Sequence, residues 1–148
     1  MSESSIRSAL KTLLGTQTHS YASYMLFAEP WDPSEAGDAL ANLRLLVGEQ
    51  RRLAQRISDF TLAQFGSVEA SAYPMAYTGL HDCSFDYLLG QTAASQDRDI
   101  RTIEKCVREL APEKAAHKLA EEALGAAKGH LETIREWIAT RKQTAATS

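Results

Sequence analysis

Glu49-Gln50-Arg51-Arg52 is the stretch whose residue types and spacing come nearest to chemistry. A carboxylate followed three residues later by an imidazole is a metal-binding pattern, because i and i+3 side chains share one helix face. Here the second position is Arg52, a cation that cannot be a ligand. Ala127-Lys128-Gly129-His130 is the converse case: the imidazole is present and the carboxylate is missing. His81-Asp82-Cys83 sets three ligand types side by side. On a helix, consecutive residues point about 100° apart and do not converge on one ion. His19 with Tyr21 and Tyr24 could form a redox or oxygen site, although tyrosines at this spacing are more commonly core or interface residues. No Gly-rich phosphate loop, Cys-x-x-Cys or Gly-x-Ser-x-Gly occurs.

Four helices must position these groups. Apolar residues at Ile6, Leu10, Leu13, Tyr24 and Phe27/Ala28 follow a 3.6-residue period and predict a first helix from about Ser5 to Ala28, capped by Ser4 or Ser5. Glu29-Pro30-Trp31-Asp32-Pro33-Ser34 breaks it. A second helix, capped by Ser34 or Asp32, carries Leu40, Leu43, Leu46/Val47, Leu53, Ile57 and Phe60, and Gly66 ends it. Residues 66–79 form the longest connection. A third helix spans about Leu80 to Leu110, with Gly90 as a candidate kink. Pro112 suits the first turn of a fourth, which ends near Arg141 and leaves a frayed tail over 142–148. Each helix is roughly 36–47 Å long. Two short links and one long crossover predict an all-α, up-down-down-up four-helix bundle forming a single domain over 1–148.

The apolar stripes turn polar midway along each helix. Pairing positions equidistant from the turns brings Gln17 near Glu49 and Gln50, and Thr92, Ser95 and Gln96 near Ala127 and His130. The expected mid-bundle layer is Thr16, Gln17, Ser20, Glu49, Gln50, Thr92, Gln96 and His130.

With these helix lengths, this crossover, these central positions and the third-helix start Gly79-Leu80-His81-Asp82-Cys83-Ser84-Phe85-Asp86-Tyr87-Leu88-Leu89, the chain resembles the ferritin-like superfamily over roughly residues 5–140. The resemblance implies a site for two metal ions, iron or manganese. Its pattern is Glu on helix one, Glu-x-x-His on helix two, Glu on helix three and Glu-x-x-His on helix four. At the matching positions this chain has Thr16, Gln17 or His19; Glu49 and Arg52; Thr92, Ser95 or Gln96; and Ala127 and His130. Glu49 and His130 are the residual metal positions, and Gln17, Gln50 and Gln96 are the amides beside them. Two ligands on different helices do not hold two divalent ions against water. The expectation is a bundle with a degenerate di-metal site and no cofactor, acting as a binding or structural protein without catalysis. The alternatives are an iron- or manganese-dependent oxidase or iron-handling protein using Glu49 and His130, and a small-ligand carrier with an enclosed pocket between its helices.

Composition bounds the partners. The 148 residues carry a net charge of -3, against the basic face of a nucleic-acid binder. No apolar run approaches the ~20 residues that span a bilayer, and Met1-Ser2-Glu3-Ser4-Ser5 does not read as a signal peptide, so the expected location is cytoplasmic. Cys83 and Cys106, if on one helix, lie roughly 35 Å apart, beyond disulfide reach and consistent with inert thiols. Trp31, Tyr73, Met75 and Tyr77 concentrate apolar surface at one end and suggest a homodimer. The interspersed Glu109, Glu113, Glu121, Glu122, Glu132 and Glu136 read as solvated faces.

Overall fold

A computed structural model describes residues 3–28, 37–69 and 85–147, and every element in them is helical. The order is α1 (Glu3–Thr18), α2 (Tyr21–Ala28), α3 (Gly37–Phe65), α4 (Phe85–Glu109) and α5 (Lys114–Thr147). The chain is all-α. The break at Trp31, the crossover residues 70–79 and the start of the third helix, including His81 and Cys83, lie outside the described residues.

The first predicted helix is two helices. α1 begins at Glu3, ahead of the expected serine caps, with a carboxylate at its positive end. It stops at Thr18 because Gly15-Thr16-Gln17-Thr18 is poor helix sequence. Two threonine hydroxyls donate back to the helix's own carbonyls, Thr16 to Leu13 O and Thr18 to Leu14 O, both at 2.6 Å. Ser20 then restarts the helix: its hydroxyl accepts from the Ser23 amide at 3.0 Å, the geometry of an N-cap. Both halves pack on α3 and α4.

Three further boundaries carry physical reasons. At the end of α3, Gly66 has φ 77° and its amide bonds Leu62 O at 2.8 Å, the left-handed C′ arrangement. A Cβ there would meet no atom within 4 Å, so the strain of Gly66→Ala is purely conformational. We expect it to cost about 1–2 kcal/mol in urea unfolding. Pro112 stands outside α5 rather than in its first turn. Glu113 is the N-cap residue, its carbonyl accepting from the His117 amide at 2.8 Å. α5 also continues past Arg141 to Thr147, since Lys142-Gln143-Thr144-Ala145-Ala146 contains no breaker. Gly90 produces no interruption in α4.

The helices pack antiparallel in three pairings. Arg7 bonds Ser67, and Ser20 bonds Gln50, which joins α1 and the start of α2 to α3. Cys106 Sγ lies 3.6 Å from Ala9 O and Thr92 Oγ1 lies 3.3 Å from Met25 Sδ, which sets α4 against α1 and α2. Gln96 bonds Ala127 O at 3.1 Å and His117 Nδ1 bonds Val107 O at 2.9 Å, which sets α5 against α4.

Two apolar clusters fill the interior. One is built on Leu10, Leu13, Ile57, Ile103, Leu110 and Ala120. The other is built on Met25, Leu43, Val47, Phe85, Leu88 and Ile134. Cys106, in the first, is 1% exposed, and burial pushes its thiol up to about 11, so it stays protonated and unreactive at neutral pH.

Candidate functional site: a polar layer between two cores

Between the two clusters lies a layer of buried polar side chains: Thr16, Gln17, Ser20, Gln50, Thr92, Ser95, Gln96 and His130. Each helix contributes because its apolar stripe is interrupted at the same height. Gln17, Gln50 and Gln96 are 4%, 2% and 4% exposed, so their amides are committed to the interior.

A buried amide or hydroxyl costs stability unless it is hydrogen-bonded. The layer meets part of this demand internally. Ser20 Oγ donates to Gln50 Oε1 at 2.6 Å, Gln17 Nε2 to Thr16 Oγ1 at 3.1 Å, Thr92 Oγ1 to Leu88 O at 2.7 Å and Gln96 Nε2 to Ala127 O at 3.1 Å. These bonds tie α2 through its N-cap to α3, and α4 to α5.

The two residual metal positions do come together. His130 Nε2 lies 2.6 Å from Glu49 Oε2. A carboxylate only accepts, so Nε2 carries the proton and is occupied by this bond. The two ends differ in depth: the His130 side chain is 10% exposed and that of Glu49 is 53% exposed. Glu49 therefore stands at the rim and reaches inward, and the expectation that it shares the buried layer is corrected. The reason is angular. Gln50, one residue on, takes the inward direction on α3, and neighbours on a helix point about 100° apart. Arg52 is exposed, and Glu122, half-buried, pairs with the exposed Arg56 across α3 and α5.

One half-buried carboxylate beside the layer is absent from the stripes read from the sequence. Asp99, itself half-buried, lies on the inward side of α4, four residues after Ser95 and four before Ile103, both buried. No hydrogen bond or ion pair to its carboxylate occurs among the described residues. Burial pushes it up to about 7, against a smaller opposing effect of the Arg98 charge. The signal was its position: Thr92, Ser95, Asp99, Ile103 and Cys106 follow one i+3/i+4 track.

The donors present do not fit a carboxylate-bridged pair of metal ions. Among the described residues no group of three or more His, Cys, Asp or Glu side chains is placed to hold an ion. At the mapped positions Thr16, Gln17, Thr92 and Gln96 are already bonded to one another or to backbone, and His130 and Glu49 are bonded to each other. His19, half-buried at the end of α1, stands apart at the α1–α3 groove. Trp31, Tyr73, Met75 and Tyr77, the basis for expecting a homodimer, lie outside the described residues.

Among the described residues no helix is long and apolar enough to cross a membrane. Comparison with known protein families, with curated proteins and with solved structures finds no match.

Proposed function

We propose that this protein is a ferritin-like bundle with a degenerate di-metal site, working as a binding or structural protein without catalysis. The observation that carries the reading is the Glu49–His130 bond. The two groups that remain of a metal-ligand set satisfy each other, and the layer around them is built from neutral hydrogen-bonding groups. The topology is inferred from the pairings above. α1 runs against α3 and against α4, and α4 runs against α5, a sense of up, down, down, up.

The rival reading, an iron- or manganese-binding oxidase or iron-handling protein, has one observation in its favour: Glu49 and His130 converge at the height of the layer. Metal analysis of protein purified without chelator separates the two. We expect substoichiometric metal and a melting temperature that moves by less than ~1 °C with added Fe²⁺, Mn²⁺ or Zn²⁺, since an ion bound at a hundred times its Kd adds about 2.7 kcal/mol. Near-stoichiometric iron or manganese, lost in His130→Ala or Glu49→Ala, would sink the proposal in favour of its rival.

A further inference from the structure

At the corner between α4 and α5 one imidazole touches two acceptors. The last turn of α4 tightens: the Ala111 amide bonds Arg108 O at 3.3 Å instead of the Val107 carbonyl that a continued helix would offer it. His117, in the first turn of α5, meets that carbonyl, Nδ1 to Val107 O at 2.9 Å. A histidine so placed caps the negative end of a helix. Its other ring nitrogen, Nε2, lies 2.8 Å from Glu121 Oε1, one turn further along α5.

A carbonyl and a carboxylate only accept. A neutral imidazole carries a single N–H and serves one of them, while the lone pair of its bare nitrogen faces the other oxygen at close range. The imidazolium carries two N–H groups and serves both. The two partners differ in freedom. Val107 O is fixed by the backbone of α4, whereas the Glu121 side chain is 58% exposed and can turn into solvent. A ring with one proton therefore keeps it on Nδ1 and gives up the carboxylate.

Charges of both signs surround the ring. On α5, Glu113 and Glu121 stand four residues to either side of His117, and Lys114 three before it. On α4, Glu104 stands one turn before Val107 and Arg108 next to it. Arg7 of α1 and Arg56 of α3 are turned to Ser67 and Glu122.

We propose that His117 is a proton-operated clasp at the α4–α5 corner. Protonated, it joins the end of α4 to Glu121 of α5; neutral, it keeps the cap on α4 and releases Glu121. Protonation adds a contact that the unfolded chain lacks. The clasp thus contributes stability at acidic pH and loses it as pH rises through the range in which histidine changes charge, about pH 5 to 8. The inference uses neither Glu49 nor His130, so it stands apart from the ferritin-like reading.

Nitrogen-15 spectra of the ring in the full chain, with thermal melts of wild type, Glu121→Gln and His117→Asn, test it across about pH 5.5 to 8. We expect both ring nitrogens to be protonated at the acid end and Nδ1 alone at the other. Glu121→Gln should melt about 1–2 °C below wild type at the acid end, the size of one exposed helix pair, with the deficit vanishing at the other. Subtracting the melts cancels the other titrating groups, Asp99 included. His117→Asn, whose amide can donate to Val107 O in place of Nδ1, should follow the pH dependence of Glu121→Gln. A proton on Nε2 alone at the alkaline end, or a melting difference that does not change with pH, would overturn the proposal.

Discussion

Asp99→Leu raises the melting temperature at pH 8 by roughly 5–10 °C and changes it little at pH 4. The wild-type carboxyl is half-buried on the inner track of α4 with no hydrogen-bond or ion-pair partner among the described residues, and burial pushes it up to about 7. The sign follows from proton binding. The ordinary value is 3.8, so between about 4 and 7 the folded chain holds a proton that the unfolded chain has released. Stability contributed by this group is therefore full below the unfolded value. It declines as pH rises through the folded value and stays low above it. A tenfold difference in proton affinity between the folded and unfolded chains corresponds to about 1.4 kcal/mol, so the carboxylate costs on the order of 2–4 kcal/mol at pH 8, the lower figure allowing for its partial exposure. Leucine removes both the charge and its desolvation. Thermal melts of wild type and Asp99→Leu across pH 4–8 check this through their difference, which cancels every other titrating group. A pH-independent difference would mean that Asp99 is ionised and solvated throughout.

Phe85→Ala lowers stability by about 3–5 kcal/mol in chemical denaturation, the usual cost of opening a cavity that large. Phe85 is 0% exposed and stands at the first residue of α4, where it joins Met25, Leu43, Leu88 and Ile134 in the second core. Its ring also lies beneath the Arg141 guanidinium, 4.9 Å from atom to centroid, and Arg141 pairs with Asp86 next door. The ring thus anchors the last turns of α5 to the first turn of α4. Removing it empties a core site and releases that anchor together. Leu45→Ala on α3, where the side chain is 70% exposed, is the matched control and should change stability by less than about 0.5 kcal/mol. A loss below about 1 kcal/mol for Phe85→Ala would mean that this core is not packed as described.

These two residues show how unevenly the fold can be read. Phe85 was legible, because a large aromatic residue in phase with Leu88/Leu89 has only one face to go to. Asp99 was not, because its type argues for solvent while its position argues for the interior. Periodicity outweighs residue type there only because α1 and α5 close over that track. The polar layer lies between these cases. Its amides and hydroxyls interrupt otherwise apolar stripes, and four interruptions at one height mark a layer.

The sequence by itself determined an all-α chain, the inward face of each long helix, and the height at which apolar packing gives way to Gln17, Gln50, Gln96 and His130. Those properties are local: they follow from period, breakers and caps, which each helix carries alone. Tertiary structure decided the rest. It set Glu49 at the rim and His130 inside, which depends on the rotation of α3 against α5. It turned the Thr-rich end of α1 into a break, since the Ser20 hydroxyl that caps α2 also donates to Gln50 across the bundle. It drew Asp99 partly out of solvent and opened the groove beside Arg51. Each of these depends on how far two helices approach and at what angle, and no single helix encodes that.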